Sequence, residues 1–187
     1  MAENKVQFGL DKLYYAVITE GTGGAITFGT PKPIPGAVSL SMDAEGEETV
    51  FYADNVRYFV TQDNNGYTGD IEVAKVPEAM WEDVFDVDVD TNNVMVESSD
   101  AEIKEVALLF RFSGDKNKNC CALYRCTLSR PTISHQTTEG SKEPQTSTIS
   151  YTAIPLPDGK VRATTLSTTA DSVKEGWFST VYQTATT

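Results

Sequence analysis

The chain has 187 residues, of which 40% are hydrophobic, and a formal net charge of −12. This length and apolar content are typical of one globular domain that buries its core without disulfides. An acidic protein of this kind is not expected to bind nucleic acid tightly, because like charges oppose contact with phosphates. No run of residues is apolar and long enough to span a bilayer, and we expect no secretory signal. Three cysteines do not make a disulfide framework, which favours a reducing compartment.

The charge is divided unevenly along the chain. Residues 1–102 contain 20 acidic and 5 basic side chains, whereas residues 103–187 contain 7 acidic and 10 basic ones. A repulsive half of a folded protein usually serves a surface property, such as solubility, steering or the lining of a passage.

The predicted elements are mainly strands, because apolar and polar residues alternate with a period of two. In chain order, the predicted strands cover residues 12–19, 25–28, 37–42, 66–75, 94–96, 104–112, 120–129 and 146–154. Glycine-rich or Asn- and Pro-containing turns are predicted at 21–24, 64–66 and 157–159. The pattern therefore predicts antiparallel sheets joined by tight turns.

One segment has a helical pattern. Residues 77–85 begin with proline and an acid, and they carry two apolar pairs four residues apart, Met80 with Val84 and Trp81 with Phe85. We predict a short amphipathic helix on the sheet, with its acids Glu82 and Asp83 facing outward.

Two segments are harder to interpret. Residues 43–65 combine an acidic cluster with an aromatic run, and they fit either a long acidic loop or a protruding hairpin. Residues 166–187 are rich in Ser and Thr and are predicted to be loosely ordered, apart from apolar residues at 177–178 and 181–182 that could dock on another surface.

The candidates for chemistry are weak. His135 is the only histidine and lies in a polar segment, which favours a solvated loop residue over a catalytic one. Alternation places Cys120 and Cys126 on one strand face and Cys121 on the other, which indicates buried apolar residues. We predict no catalytic residue, cofactor or metal site.

The best metal candidate is an acidic stretch after the helix. Asp86, Asp88 and Asp90, with Glu97 further on, resemble the start of a calcium loop. However, Thr91 stands where such a loop needs glycine, and a strand follows instead of a helix. The stretch is therefore interpreted as an acidic turn.

Short motifs spread over residues 4–165 resemble one known family, the phi13-type major tail (tail tube) proteins of long-tailed, non-contractile phages of Gram-positive hosts. The motifs are NKV at 4–6, FGL at 8–10, YYAV at 14–17, PGAV at 35–38, FYADN at 51–55, NNGYTGDIEVA at 64–74, ALLF at 107–110, RP at 130–131 and EPQT at 143–146. Some relatives carry an additional C-terminal immunoglobulin-like domain. Too few residues follow Thr165 for one here, so we expect no surface-adhesion module.

The resemblance implies a mainly β fold, a β-sandwich or curled barrel with one flanking helix and a long protruding loop. It implies a domain at 1–165, with an N-terminal arm at 1–10 and a long loop at 43–65, followed by a C-terminal arm at 166–187. Both arms are expected to order on assembly. The assembly implied is a tube of stacked hexameric rings with an acidic lumen through which DNA slides, which gives the acidic half a purpose.

Within this family, site residues are those of contact surfaces. Candidates for contact between rings are Phe51, Tyr52, Asp54 and Asn55. Candidates for lining the lumen are the acids Asp43, Glu45, Glu47, Glu48, Asp70 and Glu72. The implied partners are further copies of the chain and the tape measure, tail terminator and distal tail proteins, with no membrane; the protein would be assembled in the host cytoplasm and reside in the virion.

Two other classes of protein stay open on the sequence. A carbohydrate- or surface-binding β-sandwich would need exposed aromatic residues, for which Tyr52, Tyr67 and Trp177 are candidates. A hydrolase on a β scaffold would need a catalytic partner for His135, and none is recognisable.

Overall fold

The computed structural model describes residues 9–112, 114, 117–133 and 145–184. Within these residues the chain forms fifteen strands and two short helices. In chain order they are β1 (Leu10–Glu20), β2 (Ile26–Phe28), β3 (Lys32–Pro33), β4 (Ala37–Leu40), β5 (Asp43–Glu45), β6 (Glu48–Ala53), β7 (Val56–Gln62), β8 (Gly66–Val73), α1 (Glu78–Asp83), β9 (Asp88–Val89), β10 (Met95–Val96), β11 (Val106–Phe112), β12 (Cys120–Leu128), β13 (Thr132–Ile133), β14 (Ser147–Ala153), β15 (Arg162–Thr164) and α2 (Asp171–Gly176).

Eleven of the strands form one antiparallel sheet, which curls into a barrel. Its main path runs β2-β1-β11-β12-β14-β8-β4, and β3, β5, β13 and β15 pair at its margins. The sheet curves back on itself: β4, at one end of the path, lies near β1, and the N–H of Ile34, just before β4, donates to the carbonyl of Leu13 at 2.8 Å. The predicted mainly β fold, a curled barrel with a flanking helix, is therefore confirmed.

The main core fills the inside of the barrel. Alternate residues of the long strands point inward, among them Tyr15, Ile71, Phe110 and Tyr151, and all are buried. Helix α1 packs on this core through Met80, which is fully buried together with Val84 and Phe85 just after the helix. The predicted helix is present, although it is shorter than expected and Pro77 is its N-cap residue.

One acid of α1 does not face outward as predicted. The Asp83 carboxylate accepts hydrogen bonds from the Tyr15 hydroxyl at 2.8 Å and from the Lys32 ammonium at 2.6 Å. These contacts join the helix to β1 and β3, so Asp83 is a half-buried link between elements, whereas Glu82 is exposed.

A second core lies on the outer face of β1, β11 and β12. Small residues such as Ala16, Ala107 and Ala122 leave room there, and Trp177 and Val181 from the end of the chain cover them. Trp177 is only 2% exposed, and its indole N–H donates to the carbonyl of Cys121 at 3.3 Å. The docking suggested by the sequence thus occurs, within the subunit itself. The expectation that the C-terminal arm orders only on assembly is wrong for residues 171–182, because they already cover apolar surface.

The cysteines are buried, but their predicted distribution over the two faces is wrong. Val106 pairs with Cys126, whereas Leu108 pairs with Leu123, so β12 contains one extra residue between these pairs. Such a bulge reverses the alternation beyond it. As a result Cys121 and Cys126 both belong to the main core, and Cys120 belongs to the outer one.

Residues 43–65 are a strand and a hairpin. β5 pairs with β8 in the barrel, and β6 and β7 then form a two-stranded sheet of their own. Of the two interpretations of this segment, the protruding hairpin is therefore correct.

Candidate functional surfaces

The tip of the β6–β7 hairpin is a two-residue turn made by Asp54 and Asn55. Both residues have positive φ angles, 52° and 60°. This is the geometry of a type I′ turn, whose twist matches that of the strands, and Asp and Asn tolerate it better than other non-glycine residues. Two of the four predicted contact residues therefore form the tip of the hairpin.

The other two predicted contact residues, Phe51 and Tyr52, lie on opposite faces of the hairpin. Phe51 pairs with Phe59, and Tyr52 pairs with Arg57, so Tyr58 is an extra residue in β7. Since paired residues share a face and neighbours alternate, the pairs assign the two faces. The uncharged face contains Thr49, Phe51, Ala53, Val56, Phe59 and Thr61. The mixed face contains Glu48, Val50, Tyr52, Arg57, Val60 and Gln62.

Nothing described in the subunit covers either face. Phe51 and Tyr52 are 59% and 61% exposed, and Val56, Phe59 and Val60 are also exposed. Burying one such side chain fully is worth about 1.5–3 kcal/mol, and contiguous apolar patches of this kind mark interaction surfaces. Within the described residues, the hairpin is thus well suited to contact another macromolecule.

The second surface is the outer face of the barrel along β8. Asp70 accepts a hydrogen bond from the Ser150 hydroxyl at 2.7 Å. Glu72 accepts one from Thr146 at 2.6 Å and one from Ser39 at 3.1 Å. Neither carboxylate has a basic partner among the described residues, and both lie next to a row of hydroxyls.

Two further predicted lumen residues share this face. Asp43 pairs with Thr68, and Glu45 pairs with Gly66. Gly66 and Thr68 are separated from Asp70 by an even number of residues along β8, so all three lie on the same face of the sheet. The structure thus brings four of the six acids together on one sheet face. The remaining two lie at the base of the hairpin: Glu47 is exposed, and Glu48 forms an ion pair with Arg57 at 3.1 Å.

The acidic stretch after α1 is a hairpin turn. The Asp90 carboxylate accepts the backbone N–H groups of Asn92 and Val94 at 2.8 and 2.9 Å, and Glu97 pairs with Arg130 at 2.7 Å. No three His, Cys, Asp or Glu residues within the described ranges are arranged to hold a metal. Neither helix in those ranges is long and apolar enough to cross a membrane. His135 lies outside the described residues.

The aromatic residues suggested for carbohydrate binding are not assembled into a site. Trp177 is buried in the outer core, and Tyr67 is half-buried with the Arg162 guanidinium 5.1 Å above its ring. Only Tyr52 of the three is exposed. The three residues therefore do not form the exposed aromatic surface that a carbohydrate- or surface-binding β-sandwich would need.

Val56 and Phe59 of the uncharged face were not among the residues predicted from the sequence. A signal for them was present, because Asp54 and Asn55 stand between two runs rich in β-branched and aromatic residues, which is typical of a hairpin. A regular hairpin register would pair Phe51 with Tyr58, so the extra residue that brings Phe59 opposite Phe51 was not predictable.

The fold and its surfaces define a β-barrel subunit with an exposed apolar appendage, a class of protein suited to association. Residues 2–125 match the family model described as phage tail tube protein. The match covers more than half of the chain, and the protein therefore belongs to the phage tail tube protein family. It is a structural tail protein and not an enzyme.

Several solved structures are similar in fold. A chain of the anti-feeding prophage baseplate, 6-fold symmetrised, is 11% identical and has a TM-score of 0.48, with 90% of this chain and 100% of that chain covered. The anti-feeding prophage tube terminating cap is 13% identical, with a TM-score of 0.45 and coverage of 88% and 95%. The sheath/tube terminator of the PVC extracellular contractile injection system is 11% identical, with a TM-score of 0.42 and coverage of 83% and 94%. No curated protein sequence matches the chain.

Proposed function

We propose that this protein is the major tail tube subunit of a long-tailed, non-contractile phage of the phi13 type with a Gram-positive host. Copies of the subunit polymerise into stacked hexameric rings, and the tube conducts the genome during ejection. The observation that carries the proposal is the exposed apolar hairpin on a subunit that belongs to the tail tube family. Its work is mechanical, and it needs contact surfaces instead of a catalytic centre.

The hairpin serves as the contact between rings. Phe51 and Tyr52 are its aromatic anchors, and Asp54 and Asn55 are the tip that reaches the neighbour. Aromatic residues dominate the binding energy of protein interfaces, and here they are exposed in the isolated subunit. The N-terminal arm at 1–10, of which residues 1–8 lie outside the described residues, is proposed to order on the same assembly step.

The acidic sheet face lines the lumen. Asp43, Glu45, Asp70 and Glu72 lie on one face, with Glu47 and Glu48 beside it at the base of the hairpin. In a six-membered ring each position recurs around the wall, so a single acid per subunit becomes a ring of charge. Carboxylates repel phosphates, and DNA therefore passes without sticking.

A tube of defined length that is closed at both ends needs further partner proteins. They are the tape measure protein inside the growing tube, the tail terminator at one end and the distal tail proteins at the other. Assembly in the host cytoplasm and residence in the virion complete the proposal. The three buried, unpaired cysteines are compatible with a reducing compartment.

Negative-stain microscopy of the purified subunit tests this function. We expect monomers at low concentration and tubes or six-fold rings on concentration, because the hairpin has no partner among the described residues of the subunit. The variant combining Phe51→Ala with Tyr52→Ala should keep its β-type circular dichroism and its melting temperature but form no tubes. A monomer that persists at every concentration argues against a tube protein, and a variant that unfolds early would assign these residues to the core.

A further inference from the structure

We infer that Tyr151 is a positioning residue for the β6–β7 hairpin. From inside the barrel its hydroxyl fixes a kink at Ser41, and this kink sets the direction in which the hairpin projects. The inference rests on the proposed function in one respect, because the direction of the hairpin matters for function only if the subunits assemble. The kink itself belongs to the isolated subunit, so it is tested separately from assembly.

The kink interrupts the strand that leads toward the hairpin. β4 and β5 are separated by residues 41–42, although both pair with β8. β4 ends with Leu40 opposite Ile71, and β5 begins with Asp43 opposite Thr68, so the register against β8 is the same on both sides of the gap. The interruption is therefore a local change in hydrogen bonding, without a slip of the register.

The change consists of a side chain that replaces a backbone acceptor. The N–H of Ser41 donates to the carbonyl of Asp70 at 3.0 Å, but the N–H of Asp70 donates to Oγ of Ser41 at 2.9 Å. Opposite residues in a hydrogen-bonded antiparallel pair normally exchange two backbone hydrogen bonds. Because the hydroxyl of Ser41 takes the place of its carbonyl, the carbonyl is available to a different donor.

That donor is the hydroxyl of Tyr151 on β14. Tyr151 is only 2% exposed, and its hydroxyl donates to the carbonyl of Ser41 at 2.8 Å. A buried tyrosine hydroxyl needs such a partner. Gly69 pairs with Tyr151 and makes the approach possible, because a Cβ atom at Gly69 would lie 2.1 Å from the carbonyl oxygen of Ser41. The three residues therefore hold the kink together.

The direction of β5 is passed on to the hairpin by backbone hydrogen bonds. Beyond the kink, the N–H of Asn65 donates to the carbonyl of Glu45 at 2.9 Å, and the N–H of Asp63 donates to the carbonyl of Glu47 at 3.1 Å. Within the described chain, β6 and β7 pair only with each other. The orientation of the hairpin relative to the barrel is therefore set at its base, where β5 leaves the kink.

Distance measurements between the hairpin and the barrel test the inference. Nitroxide labels are attached through p-acetylphenylalanine at the exposed positions 58 and 166, and double electron–electron resonance is recorded on subunits shown to be monomeric by sedimentation. The labelled protein is compared with its Tyr151→Phe and Tyr15→Phe variants. Tyr15 is the matched control, because it is 1% exposed and its hydroxyl also donates one hydrogen bond at 2.8 Å, but to Asp83 on α1.

We expect one narrow distance distribution for the labelled protein and for Tyr15→Phe, and a broadened or shifted distribution for Tyr151→Phe with its β-type circular dichroism intact. Without the labels, Tyr151→Phe should then form tubes only at a higher concentration than wild type does.

A distribution for Tyr151→Phe that coincides with that of the labelled protein, or equal broadening in Tyr15→Phe, would overturn the inference and leave the proposed function standing. Failure of the wild-type protein to form tubes would count against the proposed function, while the distances would still decide whether Tyr151 orients the hairpin. If Tyr151→Phe unfolds, Ser41→Ala replaces it, because that change removes the hydroxyl that accepts the N–H of Asp70. The same broadening is expected, and an unchanged distribution would overturn the inference.

Discussion

Gly66 occupies a position where only glycine fits. It opens β8 with a φ of +123°, and a Cβ atom added there would lie 1.9 Å from the carbonyl oxygen of Ala153. Gly159 also has a positive φ, +81°, but an added Cβ atom would meet no atom within 4 Å. Substituting each of the two glycines therefore distinguishes the effect of steric overlap from that of backbone strain.

Gly66→Ala is therefore expected to lower the free energy of unfolding by about 3 kcal/mol or more, since strain and overlap add. Gly159→Ala should cost only about 1–2 kcal/mol, the strain of a left-handed residue. Urea unfolding of both variants measures the difference. Equal losses would mean that β8 and β14 move apart without cost.

Asp83 gives the fold a dependence on pH. Partial burial alone would raise the pKa of its carboxyl, but the hydrogen bonds from Lys32 and Tyr15 outweigh burial and lower the pKa below its ordinary value of 3.8. A carboxyl with a lowered pKa in the folded state stabilises the protein above its unfolded pKa, and the stabilisation is lost as the pH falls through the folded value.

Asp83→Asn should consequently unfold at lower urea concentration than wild type at neutral pH, and its midpoint should change less between neutral pH and pH values below 3.8. Glu82→Gln is the matched control, because Glu82 is the exposed neighbour on the same helix. Urea midpoints of the three proteins across this range provide the measurement. A parallel pH dependence in wild type and Asp83→Asn would contradict the assignment.

Among the elements, the C-terminal segment differs most from its predicted role, because it was expected to be loosely ordered but forms part of a core. α2 and the residues after it cover the outer core, in which Trp177 stacks on Tyr182 with ring centroids 5.3 Å apart. The segment is an integral part of the folded subunit.

Trp177→Ala should destabilise the subunit by about 3–5 kcal/mol, the usual cost of removing a buried aromatic side chain. Leu166→Ala, at an exposed position in the same segment, should have almost no effect. Thermal or urea unfolding of the two variants checks this. A small loss for Trp177→Ala would show that the segment is docked weakly, as a detachable arm.

A feature of the fold could be predicted from the sequence when the residues that determine it are close together in the chain. Ile149, Tyr151 and Ala153 alternate cleanly, and their strand and buried face were predictable. The bulge in β12 was not predictable, because no glycine or other turn residue within Cys120–Leu128 marks it. The docking of Trp177 was suggested but its site was not, since its partners are distant in sequence. On the acidic surface, alternation correctly grouped Asp70 with Glu72, but only the β5–β8 register added Asp43 and Glu45.

For the whole molecule, the acidic excess lies in residues 1–102, which include the acids of the proposed passage. Charges on a solvated wall act over roughly 8 Å at physiological salt, so they influence DNA in a narrow tube without being needed for folding. Their effect should appear only when DNA moves.

Paired Lys substitutions at Asp70 with Glu72, and separately at Glu45 with Glu47, should leave tube assembly intact and slow DNA ejection, with the delay shrinking at high salt. The same change at the exposed helix acid Glu82 is the control and should leave ejection normal. Ejection from phage carrying each set measures the effect. Normal ejection and infectivity in both paired variants would show that these acids do not affect the passage of DNA, and would leave solubility as the role of the acidic excess.

Because all three cysteines are buried, we expect the subunit to react slowly with thiol reagents. Burial raises the pKa of Cys120, Cys121 and Cys126, and a thiol that is both enclosed and protonated reacts slowly with maleimides. A single cysteine introduced by Tyr58→Cys, on the projecting hairpin, would thus be the only fast-reacting thiol within the described chain. Its labelling rate would follow the growth of a tail in real time, without removal of any native residue from the cores.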